Sequence, residues 1–129
     1  MANPNIVSVA TILGGNAGWN LTNTLTTTLL TVTAEYILKI NRIVVANVDG
    51  SSAADVDLFV DGMGSGTTGI TTTGADSDVY LAKTISVPAD ASLVVSDTPI
   101  YLMEGDILKG GGSTVNKLDL FISYETLID

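Results

Sequence analysis

Residues 36–49, YILKINRIVVANVD, form the longest β-favouring segment of the chain. It is rich in β-branched and aromatic residues, which favour extended strands over helices. Its apolar residues occupy both alternating sets of positions, and Arg42 is the one charged residue in a set that is otherwise apolar. A strand that is apolar on both sides is either central in a sandwich or covered by a neighbouring subunit. The stretch therefore predicts a long strand in one of these two settings.

The next segment, DVDLFVD at residues 55–61, alternates apolar and acidic residues with a period of two. This alternation is typical of a half-buried antiparallel strand. Residues 118–124 near the end of the chain show the same alternation, so both segments predict strands with one inner and one outer face. The inner faces carry Val56, Leu58 and Val60, and Leu118, Leu120, Ile122 and Tyr124; the outer faces carry Asp55, Asp57, Phe59 and Asp61, and Asp119, Phe121, Ser123 and Glu125.

Gly, Asp and Pro divide the rest of the chain into further short β-prone segments, and no segment has the 3.6-residue apolar period of a helix. About eight strands at near-regular spacing predict an all-β protein, a single antiparallel β-sandwich or jelly-roll-like domain over residues 1–129. The Thr-rich residues 1–34 carry few large apolar groups, which predicts an N-terminal arm or a strand-exchange segment. The other predicted strands are residues 6–13, which end at Gly14-Gly15, and residues 26–33, 79–87, 92–95, 100–103 and 107–108. Loops are predicted around Trp19, over residues 62–78 and at Gly110-Gly111-Gly112.

Composition argues against an enzyme. The chain has no cysteine and no histidine, which removes thiolate nucleophiles, imidazole bases, disulfides and zinc–thiolate sites. Five basic residues stand against fourteen acidic ones, for a formal net charge of −9. Such a chain cannot neutralise a run of phosphates, so we expect neither nucleic acid nor an anionic membrane as a partner. We also expect no catalytic residue, no cofactor and no metal.

Two patterns resemble ligand sites but lack the context that those sites need. Residues 64–69, GSGTTG, have the G-x-G-x-x-G spacing of dinucleotide sites. Those sites require a helix after the last glycine, whereas a β-branched run follows here, so an exposed loop is the favoured interpretation. Asp49, Asp55 and Asp57 carry oxygen ligands suited to calcium, but their spacing is not that of a calcium-binding loop. A solvated outer face that resists edge-to-edge aggregation explains them better.

The candidate interface residues are Trp19, Phe59 and Phe121. Phe59 and Phe121 are the only phenylalanines, and strand alternation places both outside the predicted core. Either a second layer covers them, or they form a contact patch in a homo-oligomer or a larger assembly. Trp19, in a segment rich in Gly and Asn, supports an anchoring role in such a contact.

Several segments resemble small virion structural proteins of marine tailed phages, especially cyanophages. They are residues 3–14 (NPNIVSVATILG), 40–50 (INRIVVANVDG) and 85–95 (ISVPADASLVV). Residues 100–106 (IYLMEGD) and 123–125 (SYE) resemble the same proteins. The resemblance implies a component of the virion, made in the host cytoplasm and without enzymatic activity.

This resemblance, which excludes residues 62–78, leaves the place in the particle open. The first hypothesis is a capsid decoration (cement) protein, a homotrimer that bridges major capsid subunits and stabilises the head. The second is a structural module of the tail, neck or fibre. In both, the partners are other copies of the chain and the major capsid protein or other virion proteins. The third is a receptor- or carbohydrate-binding module whose 62–78 loop contacts the ligand.

Overall fold

The computed structural model describes residues 11–62 and 78–128. These residues form nine β-strands and no helix, so the all-β prediction is confirmed. The strands are β1 (Thr11–Asn20), β2 (Thr28–Thr31), β3 (Tyr36–Asn47), β4 (Ala54–Asp61), β5 (Asp78–Val87), β6 (Ser92–Ser96), β7 (Ile100–Leu102), β8 (Ile107–Gly112) and β9 (Leu118–Ile128).

The strands form two antiparallel sheets. The five-stranded sheet has the order β1-β9-β3-β6, with β7 also paired to β3, and the four-stranded sheet has the order β2-β8-β4-β5. The pairings are therefore nested: the first strand pairs with the last, the second with the last but one, and the middle strands with each other. This nesting is the strand order of a jelly roll, in which two interlocked Greek keys form the two layers.

The inner faces of the two sheets form one hydrophobic core. Ile40, Ile43 and Val45 of β3 are fully buried, as are Leu58 of β4 and Leu108 of β8. Each such side chain contributes about 1.5–3 kcal/mol to stability when it leaves water. The sandwich prediction is thus confirmed, and of the two settings expected for residues 36–49 the structure shows a central place in the sandwich. The inner positions predicted in β9 are also confirmed, because Leu118, Leu120 and Ile122 belong to this core.

A β-bulge in β3 changes which side chains point inward. Against β9, the register shifts between Ile40 and Arg42, so one extra residue is inserted. Ile40 and Ile43, three positions apart, both point into the core, and Val44 moves to the outer face. The two alternating sets of residues 36–49 therefore exchange faces beyond Asn41. Arg42 is exposed beside the bulge, which explains its place in an apolar series.

The first strand is longer than expected. It does not end at Gly14-Gly15 but continues to Asn20, paired with β9 throughout. Trp19 consequently lies in a strand and not in a loop. Residues 1–34 were expected to form an N-terminal arm or a strand-exchange segment. Residues 11–34 of this segment belong to the sandwich, because β1 and β2 pair within the two sheets and Leu21 is buried in the core. Residues 1–10 of that segment lie outside the described residues.

The three consecutive glycines at 110–112 do not form a loop. They complete β8, buried between β4 and the segment before β2. A Cβ atom on Gly110 would lie 2.2 Å from the carbonyl oxygen of Asp57, and one on Gly111 would lie 2.5 Å from that of Thr24. Only glycine allows the backbones to approach this closely, so the run that resembles a loop is a strand packed too tightly for side chains. The 62–78 loop lies outside the described residues except at its two ends.

Candidate docking surface

The outer face of the five-stranded sheet carries apolar side chains in a line that crosses its strands. Phe121 of β9 lies opposite Gly18 of β1 and opposite Val44 of β3, and Val44 lies opposite Val94 of β6. Directly opposed residues project from the same face of a sheet. Phe121 is 45% exposed and Val94 is 44% exposed. We call Phe121, Val44 and Val94 the apolar row.

The row depends on the bulge in β3. With a regular alternation Val44 would share the inner face with Ile40, and the line between Phe121 and Val94 would be interrupted. The bulge places Val44 outward while Val45 remains fully buried. The signal available in the sequence was the charged Arg42 in an apolar series, which marks the residue at which the alternation changes.

Basic side chains border the apolar row. Arg42 lies opposite Ser123, two positions along β9 from Phe121, and Lys39 lies opposite Glu125. The ion pairs found within residues 11–62 and 78–128 involve neither Arg42 nor Lys39. The same face also carries Glu125, which lies opposite Lys39, and Asp119, which lies opposite Ala46, so charges of both signs surround the apolar row.

Two of the three candidate interface residues lie near one edge of the five-stranded sheet, on opposite faces. Trp19 and Phe121 both border an open depression at this free edge, together with Gly18 and Asp119. Trp19 lies opposite the buried Leu120 and is half-buried, so it projects from the inner face. Phe121 projects from the outer face, so the two residues do not form one patch.

Phe59 lies elsewhere and is buried, so of the two alternatives left open for it the contact patch is wrong. Its side chain is only 4% exposed although it projects from the outer face of the four-stranded sheet. Tyr80 on the neighbouring strand covers it, with ring centroids 4.9 Å apart, and the Lys83 ammonium lies 4.8 Å from the centroid of the Tyr80 ring. Strand alternation correctly predicts that Phe59 projects from the outer face. It contains no information about the side chains of the adjacent strand that cover that face.

The aspartates considered as calcium ligands are held by protein groups. Asp49 pairs with Lys117 and accepts hydrogen bonds from Ser51 and Ser52. The Lys117 ammonium, with smaller effects from the two serines, holds the pKa of Asp49 far below its ordinary range. Asp57 accepts a 2.8 Å hydrogen bond from the backbone N–H of Thr84. Among residues 11–62 and 78–128, no three acidic side chains come close enough together to hold a metal ion.

Two further carboxylates have shifted titration. Lys109 donates a 2.7 Å hydrogen bond to Asp61 and lowers the pKa of that carboxyl group. Asp106, in the turn before β8, accepts a hydrogen bond from the N–H of Met103 through one oxygen. Its other oxygen is buried and has no hydrogen-bond partner in the described part of the chain. Burial raises the pKa of Asp106 because it penalises the charged form.

No protein-family model matches this chain, and no curated protein is significantly similar to it. No helix of the described residues is long and apolar enough to cross a membrane.

Proposed function

We propose that this protein is a non-enzymatic structural component of a virion, a capsid decoration (cement) protein that stabilises the head. The proposal rests on the phage-like segments of the sequence and on one structural observation, the exposed apolar row beside Arg42 and Lys39. The sequence supports it further, since a chain without cysteine and histidine has no imidazole or thiol for catalysis.

The apolar row suits docking because Phe121 and Val94 are exposed, Val44 between them is half-buried, and all three lie on paired strands of one sheet. A phenylalanine that becomes buried on association gains about 1.5–3 kcal/mol, and central aromatic residues commonly dominate interface energies. Phe121 is the large exposed member of the row, so it is the anchor we assign. Val44 and Val94 extend the same contact across two further strands.

The charges around the apolar row bear on the choice of partner. Arg42, Lys39 and Glu125 lie on the same outer face, so a surface with charges of both signs fits it, and another copy of this face meets that requirement. The net charge of −9 suits a basic or polar shell. We therefore propose two partners: further copies of this chain, as a homotrimer, and the major capsid protein or another virion protein.

Stabilisation then follows from mass action. A protein that binds the assembled lattice, and not the separate subunits, stabilises that lattice by an amount that grows with its concentration and affinity. The binding free energy of each copy can be small, since many copies stabilise one particle together. No bond is made or broken, and the mechanism needs no cofactor.

The copy number in purified virions tests this function. Quantitative mass spectrometry with labelled reference peptides gives the ratio of this chain to the major capsid protein. A head decoration protein occurs on the order of hundreds of copies per particle, because it follows the symmetry of the shell. A few tens of copies would assign it to the tail or neck instead, and absence from the particle would overturn the proposal.

A further inference from the structure

A cavity of about 340 Å³ opens between the two sheets at the edge formed by β1 and β2. These are the outermost strands of their sheets, and β2 has only four residues. The sandwich is therefore not closed along this edge. The cavity lies behind the depression shared by Trp19 and Phe121, on the inner side of the five-stranded sheet.

Three aromatic side chains line this cavity: Trp19, Tyr36 and Tyr124. The position of Tyr124 depends on the absence of a side chain at Gly15, where a Cβ atom would lie 2.9 Å from the ring carbons and the hydroxyl oxygen. Gly15 and Tyr124 are direct partners in the β1–β9 pairing. Because Gly15 has no side chain, the ring of Tyr124 can occupy this space and form a wall of the cavity.

The lining determines the chemistry of a ligand. Among the described residues that line it there is no Asp, Glu, Lys or Arg, so these residues offer a charged ligand no partner to compensate for its lost hydration. The aromatic and aliphatic walls favour an apolar ring, and threonine and tyrosine hydroxyls supply a few hydrogen-bonding groups, as is usual in small-molecule sites. An apolar cavity of about 150 Å³ accommodates benzene, so this larger one has room for a substituted ring.

We infer that this cavity binds a small, neutral, hydroxyl-bearing ring compound of the benzyl alcohol type. This site is independent of the proposed docking surface, since it lies on the inner side of the sheet whose outer face carries the apolar row. The ring would stack among Trp19, Tyr36 and Tyr124, and its hydroxyl group would meet Thr31 or Thr126 at the mouth.

Intrinsic fluorescence tests the inference directly, because Trp19 is the only tryptophan of the chain. The probe is 4-bromobenzyl alcohol, whose bromine quenches an indole ring on contact. We expect saturable quenching that unbrominated benzyl alcohol reverses by competition and that methyl β-glucoside, a polar ring of similar size, does not reverse. Quenching that rises linearly, as for free tryptophan amide, would overturn the inference, as would equal competition by the glucoside.

A cavity-filling variant provides the second readout. Ala17→Leu introduces a larger side chain into the cavity, and we expect it to weaken saturable quenching at least tenfold. Ala46→Leu, on the outer face of β3, is the matched control and should quench like the wild type. If Ala17→Leu does not fold, as judged by circular dichroism, Thr126→Leu fills the same cavity from β9. Unchanged quenching in a folded cavity-filling variant would contradict the site.

Discussion

The ring of Tyr124 lies across the bare backbone of Gly15, its partner in the β1–β9 pairing. A glycine at an edge strand has no side chain to pack, and an aromatic residue on the neighbouring strand can cover it. This contact joins the first and last strands of the sandwich. It also explains why β1 continues through two glycines that, in sequence, resemble the end of a strand.

Gly15→Ala should destabilise the protein, because its Cβ would collide with the Tyr124 ring and displace it. The colliding atoms are the far end of a ring that borders the cavity and can shift towards it, so the cost is at the low end for such crowding, about 1 kcal/mol. Gly14→Ala is the matched control, since nothing lies within 4 Å of its Cβ position, and it should change stability by less than about 0.5 kcal/mol. Urea denaturation followed by circular dichroism measures both. Equal stability of the two variants would show that the Tyr124 contact is not as described.

Gly110→Ala should be more damaging than Gly15→Ala. Its Cβ would lie 2.2 Å from the Asp57 carbonyl oxygen, and this backbone atom belongs to the centre of the four-stranded sheet and cannot rotate away. We expect a loss of at least about 3 kcal/mol or failure to fold. Soluble yield and the thermal midpoint measure it. A variant that melts within a few degrees of the wild type would mean that β8 is not packed against β4 in this way.

Phe121→Ser should weaken self-association and particle binding without weakening the fold. The side chain is half exposed, so its removal should change the free energy of unfolding by no more than about 1 kcal/mol. Val115→Ser is the control, because Val115 is equally exposed, at 45%, but lies between β8 and β9, away from the apolar row. Sedimentation velocity over a concentration series gives the oligomeric state. Identical association of the wild type and both variants would exclude Phe121 as an anchor.

The Asp49–Lys117 pair should make stability fall in acid. The pKa of Asp49 is lower in the folded chain than in the unfolded one, where it is about 3.9. Its stabilising effect is therefore complete above that pH and is lost as the pH falls through the folded value. Lys117→Met removes the effect, so the variant should melt below the wild type at pH 7 and approach it below pH of about 4. A gap in melting temperature that stays constant down to pH of about 2 would contradict this assignment.

Asp106 should have the opposite pH dependence. Burial raises the pKa of this carboxyl group in the folded chain, so its charged form destabilises the fold at neutral pH, and this cost disappears as the pH falls through the folded pKa. Asp106→Asn keeps an oxygen to accept from the Met103 N–H and removes the charge. We expect a higher melting temperature than the wild type at pH 7, with the difference shrinking in acid. Asp97→Asn, at an exposed position, should show no such trend.

Local alternation was enough to predict much of the fold. The inner positions of β9 follow from its period of two, and the sandwich follows from many short strands separated by turns. The bulge in β3 was not predictable in the same way, because its position is fixed by pairing with β9, about eighty residues away in sequence. The expectation that Gly15 and Gly110 lie outside strands is wrong for a similar reason. Both lie in strands because distant segments pack against them, Tyr124 on Gly15 and the backbone of Asp57 on Gly110.

The candidate surface was predictable in part. The outward position of Phe121 follows from the alternation of its own strand. The apolar row could not be predicted in this way, since it requires the registers of β9, β3 and β6. Phe59 likewise shows that the alternation of one strand does not reveal its neighbours on the next strand. Alternation places Phe59 on the outer face, yet Tyr80 on the next strand covers it.

Imaging of the intact particle at a resolution that traces side chains shows whether this chain decorates the head. We expect to find it on the outside of the head, with Phe121, Val44 and Val94 covered by a neighbouring copy or by the capsid protein, and with Arg42 near acidic or polar groups. The proposed role is wrong if the particle lacks the chain, or if the chain is attached while the outer face of its five-stranded sheet remains open to solvent.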